Sequence, residues 1–473
     1  MPKTKIVATI GPASSTPERI GALLRAGMNV ARLNLSHGSH AEHARNIAML
    51  RACAQEADTP LAILLDLQGP KIRTGALAGG GPVQLVDGDT LTITTREVVG
   101  TAHTVSTTYA SLPTDVSPGA RILISDGLIE LRVVAVDSEQ VRCEVVHGGE
   151  LREHQGINLP GAPLSTPAVT DKDLEDLVFG LEQEVDYVAI SFVRRASDVT
   201  QVRDLIARHG HDTPVIAKLE KPEAVHALDD ILKVCDAVMV ARGDMGVEMA
   251  PETVPAVQKE IIHRANHYGR PVITATQMLQ SMIDNPQPTR AEVSDVANAI
   301  IDGSDAVMLS GETAIGQYPV AAVEMMVRIA EEVERRGLVP TSAGDTLFED
   351  VPSMPEAIAA AVSALVRALP TRAICVVTKT GNTARLLSQQ RPQVPILAFT
   401  PIEATYRRLS LMWGVTPLKN AYAYTEEDYY QQIQTALVAG GYAAEGDCVV
   451  VTGGHPIVQG GPTNFLKIMA VLG

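Results

Sequence analysis

Eight short apolar runs recur along this chain, and nearly every one ends in a residue that can hold a phosphate, a metal or a proton. The runs cover residues 4–10, 29–36, 61–68, 186–192, 215–220, 237–242, 271–276 and 306–312. Runs of Val, Ile, Leu and Ala separated by helix-length amphipathic segments are typical of buried parallel strands in βα units. Eight such units predict an α/β fold built on a closed (β/α)8 barrel of the TIM type.

The barrel interpretation also predicts where the chemistry lies. In such barrels the functional residues stand at the carboxyl ends of the strands, so the polar residues there should converge on one mouth. Those residues are Arg32, Asn34, Ser36, Asp66, Ser191, Lys218, Glu220, Arg242, Asp244, Thr276, Ser310 and Glu312.

Composition excludes several classes of protein. A length of 473 residues predicts two or three domains. The five cysteines are scattered and form no CxxC pair, which argues against disulfides and zinc and indicates a reducing, cytoplasmic location. A formal net charge of −16 disfavours a nucleic-acid partner. No signal sequence is recognisable and no apolar stretch is long enough to span a bilayer, so we expect no membrane partner.

Residues 69–165 interrupt the βα rhythm. Period-2 alternation around Asp-Gly turns at 87–89 and 126–127 predicts hairpins and a small β-barrel. Because this insertion follows the third strand of the large barrel, it should hang over the mouth as a lid domain. The catalytic barrel would then comprise residues 1–68 and 166–338.

A separate α/β domain is expected at 339–473. It would begin with a linker rich in Pro, Ser and Gly at 339–352, followed by a helix at 356–369. Apolar runs at 373–378, 394–399, 448–452 and 466–472 predict its strands.

Two carboxylates at neighbouring strand ends suit a divalent metal. Side chains two apart on a strand point to the same side, so Lys218 and Glu220 project together. Glu220 and Asp244 form a sparse oxygen site, which fits Mg²⁺ or Mn²⁺ with substrate and water completing the octahedron. A lysine beside such a metal can neutralise a transferring phosphoryl group. The alternative is a structural ion pair between Lys218 and Glu220 at the barrel rim.

Two arginines are the best phosphate ligands on the opposite side of the mouth. Arg32 shares one face with Asn34 and Ser36, while Arg73 follows Lys71 where the chain turns into the lid. The planar fork of arginine fits phosphate bidentately. Each arginine could instead form a salt bridge that fixes the lid.

Hydroxyl groups mark two further places. Thr276 could bind a substrate carboxylate or order a water, and Ser310 with Glu312 could form a proton path behind it, although Ser310 could instead cap a helix. In the last domain, Thr378, Lys379, Thr380, Gly381, Asn382 and Thr383 lie between a strand and a helix. That segment could cradle a phosphate of an effector, or it could be an ordinary helix start.

Six motifs in this order resemble those of the pyruvate kinase family. They are MNVARLNLSHG, LDLQGPKIRTG, AKLEKPEAV, ARGDMGVE, the block at 273–314, and WGVTPL. The resemblance covers essentially the whole chain. It implies a phosphotransferase with phosphoenolpyruvate and ADP as substrates, ATP and pyruvate as products, Mg²⁺ or Mn²⁺ as cofactor, and a homotetramer.

The resemblance also implies roles for individual residues. Lys218 matches the lysine that stabilises the moving phosphoryl group, Arg32 a phosphate ligand, and Arg73 an arginine at the nucleotide phosphates. Glu220 and Asp244 match the metal ligands. The remaining substrate-binding positions are Ser191, Gly243 and Thr276, and the remaining nucleotide-pocket positions are Thr9, Pro12 and His37.

Lys71 departs from the pattern of many family members. Those members hold K⁺ at positions matching Asn34, Ser36, Asp66 and the carbonyl of Leu67, and they carry an acidic residue where this chain has Lys71. Because a lysine ammonium is a tethered monovalent cation, we expect activity without added K⁺.

Two other departures concern the nucleotide and the effector. Gln155 occupies a position where many relatives have a lysine that contacts the nucleotide. The loop at 453–461 lacks the Arg or Lys that binds the second phosphate of fructose 1,6-bisphosphate. A sugar monophosphate or AMP at the 378–383 segment is therefore the expected effector.

Two other classes of protein fit part of the pattern. A metal-dependent carbon–carbon lyase also builds Glu and Asp metal sites in barrels, but it would need neither Arg73 nor a lid of this length. A non-catalytic metabolite sensor would be expected to lose Lys218 or the metal carboxylates.

Overall fold

The computed structural model describes residues 2–162, 165–340, 352–423, 425–456 and 461–472. Most of the predicted linker at 339–352 lies outside these residues. The chain starts with three strands and two helices: β1 (Lys5–Thr9), α1 (Pro17–Ala26), β2 (Val30–Asn34), α2 (His40–Glu56) and β3 (Ala62–Asp66). Both helices begin at predictable caps, because the side chain of Thr16 accepts from Arg19 N and Ser39 forms a capping box with Glu42.

The lid follows β3 directly. Its elements are β4 (Ile72–Arg73), β5 (Val83–Leu85), β6 (Thr90–Thr94), β7 (Thr104–Ser106), α3 (Leu112–Asp115), β8 (Arg121–Ile124), β9 (Ile129–Val136), β10 (Gln140–His147), β11 (Gly149–Leu151) and β12 (Gly156–Asn158), with a 3₁₀ turn at Ala78–Gly80. Seven strands form one sheet in the order β4-β12-β8-β9-β10-β6-β7. Its two edges meet, because Gly75 N donates to Ser106 O and Thr108 N donates to Arg73 O at 2.9 and 3.0 Å. This closure confirms the small β-barrel.

The two predicted hairpins of the lid have different outcomes. β8 and β9 pair across the turn at 126–127, as expected. The expected hairpin across 87–89 is wrong, because β5 pairs with β11 while β6 pairs with β10 and β7. The turn at 87–89 therefore carries the chain from one sheet to another.

The large barrel resumes after the lid. Its remaining elements are α4 (Asp171–Glu182), β13 (Tyr187–Ile190), α5 (Ala196–Arg208), β14 (Val215–Leu219), α6 (Pro222–His226), α7 (Leu228–Val234), β15 (Ala237–Ala241), α8 (Arg242–Glu248), α9 (Val254–His267), β16 (Val272–Ala275), α10 (Arg290–Ile301), β17 (Ala306–Leu309), α11 (Gly311–Ala314) and α12 (Pro319–Arg335). Short 3₁₀ turns lie at Pro251–Thr253 and Gln280–Ile283. The closed strand order is β1-β17-β16-β15-β14-β13-β3-β2, which confirms all eight predicted strands and the TIM-type fold.

The C-terminal domain is a separate five-stranded unit. It contains α13 (Met354–Ala368), β18 (Thr371–Val377), α14 (Asn382–Gln389), β19 (Ile396–Thr400), α15 (Glu403–Arg408), a 3₁₀ turn at Leu409–Leu411, β20 (Val415–Lys419), α16 (Glu426–Ala439), β21 (Cys448–Gly453) and β22 (Phe465–Ala470). The sheet order is β20-β19-β18-β21-β22, with only β22 antiparallel. Four of these strands were predicted. β20 was not, because its sequence contains Pro417.

This domain docks against the amino ends of the barrel strands, opposite the mouth. The ammonium of Lys5 at the start of β1 donates to Val415 O at 2.7 Å. The hydroxyl of Tyr187 at the start of β13 donates to Arg408 O at 2.7 Å. The carboxyl ends of the strands are thus left to the lid. Among the described helices, none is both long and apolar enough to cross a membrane.

Candidate active site

Lys218 is the centre of the mouth. Its ammonium donates to Ser191 Oγ at 2.7 Å and lies 2.9 Å from Glu220 Oε1 and 3.3 Å from Asp66 Oδ1. Burial by itself would lower the pKa of the Lys218 ammonium, but the carboxylates of Asp66, Glu220 and Asp244 outweigh burial and raise it. The side chain therefore stays a fixed cation at the strand ends.

Arg32 stands beside this lysine and shares its counter-ion. Its Nε donates to Asp66 Oδ2 at 2.7 Å, a second nitrogen lies 2.6 Å from the same oxygen, and the third donates to Thr9 Oγ1 at 3.0 Å. A guanidinium has five N–H donors, so these contacts leave donors for a ligand. Burial would raise the pKa of Asp66, but Lys218 and Arg32 lower it below its usual value.

Thr9 was expected in the nucleotide pocket, and its hydroxyl lies deeper. The side chain is buried, accepts from Arg32 and donates to Leu309 O at 2.9 Å. In this structure the threonine thus orients the arginine.

The two carboxylate oxygens of Glu220 have different partners. Phe192 N donates to Oε2 at 3.0 Å, while the buried Oε1 faces the ammonium of Lys218 at 2.9 Å. Burial and the nearby carboxylate of Asp244 raise the pKa of Glu220 against the effect of Lys218. A buried carboxylate oxygen that faces a cation could also bind a metal ion.

Few carboxylates are available to hold a metal ion at this position. Asp244 comes from the first turn of α8, and no group of three His, Cys, Asp or Glu suited to a metal exists within the described residues. Glu220 and Asp244 could hold Mg²⁺ or Mn²⁺, with substrate oxygens and water completing the shell.

Thr276 is held in an unusual backbone conformation next to the metal carboxylates. Thr276 and Gln277 have φ of 68° and 54°, which costs free energy for residues other than glycine. Gly243 N donates to Thr276 Oγ1 at 2.8 Å, and an Arg242 nitrogen donates to Thr276 O at 2.8 Å. Arg242 is fixed in turn by Asp295 at 2.6 Å.

Ser310 and Glu312, expected on a proton path, differ in what they contact. The Glu312 carboxylate is fully buried and accepts backbone N–H groups from Leu279 at 3.0 Å and Ser310 at 2.7 Å. Glu312 thus fixes two loops. Ser310 stands at the N-cap position of α11, as in the cap alternative, but its buried hydroxyl makes no capping hydrogen bond.

Lys71 and Arg73 face the mouth from the lid side. They line a cleft of about 230 Å³ together with Asp126, His154, Asn158, Phe192, Lys221, Asp244 and Glu248. Although Lys71 is exposed, the protein groups around it lower the pKa of its ammonium through desolvation, against the carboxylates of Asp244 and Glu220. Loss of solvent contact and the cations Lys71, Arg73 and Arg32 lower the pKa of the His37 imidazole.

The positions predicted to form the K⁺ pocket, where Lys71 would replace the ion, lie at the ends of β2 and β3, and Asn34 is the register partner of Asp66. Asn34 Oδ1 accepts from Ser36 N at 3.1 Å, and the carbonyl of Leu67 accepts from Ser191 Oγ at 2.8 Å. The Lys71 ammonium forms no hydrogen bond or ion pair with any residue of the described ranges. Lys71 therefore acts on the mouth through the positive charge that it places in the cleft.

The remaining nucleotide positions are at the surface or inside the lid. Pro12 is exposed. The Gln155 amide donates to Ser125 Oγ and accepts from Arg152 N, both at 3.1 Å, so it holds lid loops together. Arg152 is exposed and pairs with Glu150 at 2.6 Å.

The predicted effector segment lines a cavity in the C-terminal domain. Gly381, with φ of 86°, precedes α14, and its N–H donates to Thr378 Oγ1 at 2.9 Å. The cavity measures about 420 Å³ and is lined by Thr378, Lys379, Thr380, Asn382, Thr383, Pro401, Tyr429, Gly454 and Thr463. The segment therefore forms both the start of α14 and part of a concave surface.

Three residues of the mouth escaped sequence reasoning. Lys221 and Glu248 are buried and form an ion pair at 2.6 Å, and Asn158 of the lid donates to the same glutamate at 2.8 Å. A signal existed, since Lys221 directly follows Glu220 and Glu248 lies one helical turn after Asp244.

Comparisons with known proteins match this geometry. Residues 1–323 match the family model for the barrel domain of pyruvate kinase, and residues 356–469 match the model for its alpha/beta domain. The chain belongs to the pyruvate kinase family. It is 48% identical to pyruvate kinase 2 of Synechocystis over 99% of this chain and 79% of that protein. It is 46% identical to the pyruvate kinase of Geobacillus stearothermophilus over 99% of this chain and 80% of that protein.

A solved structure agrees with the fold. The pyruvate kinase of Cryptosporidium parvum superposes with a TM-score of 0.91 at 36% identity, covering 99% of this chain and 96% of that one. Membership of the pyruvate kinase family confirms the predicted phosphotransferase class and the use of Mg²⁺ that is general in this family.

Proposed function

We propose that the mouth transfers the phosphoryl group of phosphoenolpyruvate to ADP, giving ATP and pyruvate. The observation that carries this proposal is a pair of cations. Lys218 and Arg32 share Asp66 at the strand ends that face the lid. Two fixed cations on one side of a transferring group stabilise its equatorial oxygens without reorganisation.

Glu220 and Asp244 would hold the divalent metal. The buried Glu220 carboxylate, whose Oε1 faces the Lys218 cation, and the nearby carboxylate of Asp244 support this assignment. When bound, Mg²⁺ or Mn²⁺ supplies positive charge that neutralises phosphoryl and enolate oxygens.

The other end of the substrate is assigned to Thr276, Gly243 and Ser191. Thr276 and the N–H of Gly243 would orient the substrate carboxylate, which would replace the hydrogen bonds that now run from Gly243 N to Thr276 Oγ1 and from Thr276 Oγ1 to Ala275 O. We assign the proton path to the enolate to Thr276, an ordered water and the Ser310 hydroxyl. Glu312 is left out, because both its oxygens accept backbone N–H groups.

ADP would enter between the lid and the barrel. Arg73 lines the cleft that also contains Asp244, which supports a role at the nucleotide phosphates. His37, Pro12 and Thr9 would border the nucleotide pocket, with Thr9 acting through Arg32. Closure of the lid would exclude water from the transferring group.

We further propose that the enzyme needs no added K⁺. Lys71 places a positive charge in the cleft close enough to influence Lys218, Glu220 and Asp244. An ammonium there would supply the charge that K⁺ otherwise brings to the Asn34, Ser36, Asp66 and Leu67 positions.

The cavity of the C-terminal domain is proposed as an effector site. Its threonine hydroxyls and the N-terminus of α14 suit one phosphate, so a sugar monophosphate or AMP is the proposed ligand. Titration of activity at subsaturating phosphoenolpyruvate with each compound tests this, with Thr380→Val as the impaired variant. No response to any of them would remove the effector role.

The domain ranges, a homotetramer and a cytoplasmic location complete the proposal. The catalytic barrel is assigned to 1–68 and 166–338, the lid to 69–165 and the regulatory domain to 339–473. The cytoplasmic assignment is supported by five free cysteines, of which four are buried thiols. Light scattering tests the tetramer.

ATP formation from phosphoenolpyruvate and ADP tests the activity itself. The expected result is ATP and pyruvate in equal amounts. Cleavage of a 2-oxo acid without ATP would favour the lyase, and binding without turnover would favour the sensor.

A further inference from the structure

A buried ion pair links the lid to both proposed metal carboxylates. Lys221 and Glu248 are 5% and 4% exposed, and Lys221 Nζ lies 2.6 Å from Glu248 Oε1. Asn158 Nδ2, from lid strand β12, donates to the same Oε1 at 2.8 Å. One carboxylate oxygen thus joins an ammonium of the barrel and an amide of the lid.

Each member of the pair is tied to one metal carboxylate. Glu248 lies four residues after Asp244 on α8, so the two side chains share a helix face. Lys221 directly follows Glu220, and its ammonium lies 5.6 Å from the ring centroid of Phe192. Phe192 N in turn donates to Glu220 Oε2 at 3.0 Å. Movement of the pair would therefore shift both Glu220 and Asp244.

Stability alone does not account for this arrangement. A buried ion pair gains little over apolar residues of the same size, because desolvation offsets the attraction. The pair does, however, set the orientation of the Glu248 carboxylate. Its Oε1 has to contact two donors from different domains, Lys221 Nζ of the barrel and Asn158 Nδ2 of the lid. Such fixed partners behind metal ligands set the orientation of the ligands.

We propose that Lys221 and Glu248 are positioning residues that set Glu220 and Asp244 for the divalent metal, and that Asn158 completes them from the lid. This inference rests on the proposed function, since it assumes that Glu220 and Asp244 hold the metal. Lid closure would then be coupled to metal binding through the carboxylate of Glu248.

The test measures Mn²⁺ binding by electron paramagnetic resonance of the free ion, on full-length protein without substrates. Lys221→Met/Glu248→Gln removes the pair without leaving a lone buried charge. We expect its Mn²⁺ affinity to fall by ~10-fold or more, and its activation constant for Mg²⁺ to rise. The control is Lys259→Met, which removes an exposed lysine paired with Asp302 on the same barrel and should leave Mn²⁺ affinity unchanged.

Asn158→Ala tests the lid contact separately and leaves the ion pair in place. We expect weaker Mn²⁺ binding than in the wild type and faster amide exchange in β12. If the double variant only lowers the melting temperature and binds Mn²⁺ as the wild type does, the pair is structural and the proposal is overturned. Unchanged Mn²⁺ affinity and exchange in Asn158→Ala overturn the coupling to the lid.

Failure of the proposed function would look different. Wild-type protein would then form no ATP from phosphoenolpyruvate and ADP, whereas the Mn²⁺ titrations would still decide the role of the pair. If the wild type binds no Mn²⁺ at all, the metal assignment and this inference fall together, while any ATP formation remains as a separate result.

Discussion

The ammonium of Lys218 lies 2.9 Å from Glu220 Oε1, so the lysine pairs with one of the two proposed metal ligands. The contact is a charge-assisted pair that neutralises the buried carboxylate. A divalent cation bound to Glu220 would take over this neutralisation, and Lys218 would then be free to donate to a phosphoryl oxygen.

Lys218→Met should lower kcat strongly while Mn²⁺ binding persists. The variant removes the cation aimed at the phosphoryl oxygens, and losing one such donor costs roughly 10²–10³-fold in kcat. Mn²⁺ should still bind, because the metal can neutralise Glu220 in place of the lysine. Steady-state ATP formation and Mn²⁺ titration measure the two effects.

The matched control for this variant is Lys218→Arg, which keeps the charge but changes its shape. It should retain more kcat than Lys218→Met. A Lys218→Met enzyme within threefold of wild-type kcat would contradict the role given to the lysine.

Lys71→Glu should make the activity of this enzyme depend on K⁺, whereas the wild-type activity should not. Replacing a cation by an anion near the transferring phosphoryl group changes the interaction by about 1–4 kcal/mol, which is roughly 5- to 1,000-fold in rate. Activity in Tris and sodium buffers should fall by that factor and recover with K⁺.

Wild-type activity should be the same in Tris, sodium and potassium buffers, and Lys71→Gln serves as the neutral comparison. If the wild-type enzyme loses its turnover when K⁺ is omitted, the Lys71 ammonium does not replace the ion.

Much of the mouth could be predicted because two local rules act together. Strand alternation places Lys218 and Glu220 on one side, and the barrel rule brings separate strand ends such as Arg32 and Asp244 to one face. Both rules need only the sequence near each strand. The same reasoning found the β8–β9 hairpin, whose turn at 126–127 is short.

Contacts between distant segments could not be predicted this way. The pairing of β5 with β11 replaces a local hairpin by a contact across the whole lid. The group of Lys221, Glu248 and Asn158 joins three segments, and although Lys221 and Glu248 lie near the metal carboxylates in the sequence, their spacing does not show that the three side chains meet. Thr9 was placed on the correct strand end, but its burial under Arg32 depends on packing.

Asp295→Asn should weaken phosphoenolpyruvate binding, although Asp295 would not contact the substrate itself. The variant removes the charge that holds Arg242 at 2.6 Å, and Arg242 holds the carbonyl of Thr276. Thr276 and Gln277 would then relax from their positive φ angles. A displaced substrate contact costs roughly 10–100-fold, so kcat/KM for phosphoenolpyruvate should fall within that range.

The KM for ADP and the melting temperature should change little in Asp295→Asn. Arg264→Met, which removes a more exposed ion pair with Asp229 at 2.5 Å on the same barrel, is the control. An equal loss in both variants would mean that the effect is general destabilisation.

Lys5 should make the folding free energy depend on alkaline pH. Burial lowers the pKa of its ammonium from 10.5 to about 8, with Glu334 acting in the opposite direction. Between pH 8 and 10.5 the unfolded chain therefore binds more protons than the folded chain, so this group adds stability as the pH rises through that window. The full shift corresponds to about 3 kcal/mol. Below pH 8 both states are charged, and the cost of burying the ammonium is fully present.

Denaturant unfolding of the wild type and of Lys5→Met at several pH values isolates this contribution. The free energy of unfolding of the wild type, relative to Lys5→Met, should rise by up to about 3 kcal/mol across the window. Lys5→Arg cannot lose its charge there, so its difference from Lys5→Met should stay flat. A wild-type difference that is equally flat would show that the ammonium at the start of β1 keeps its ordinary pKa despite its contact with Val415 O, and that the junction between the barrel and the C-terminal domain is hydrated.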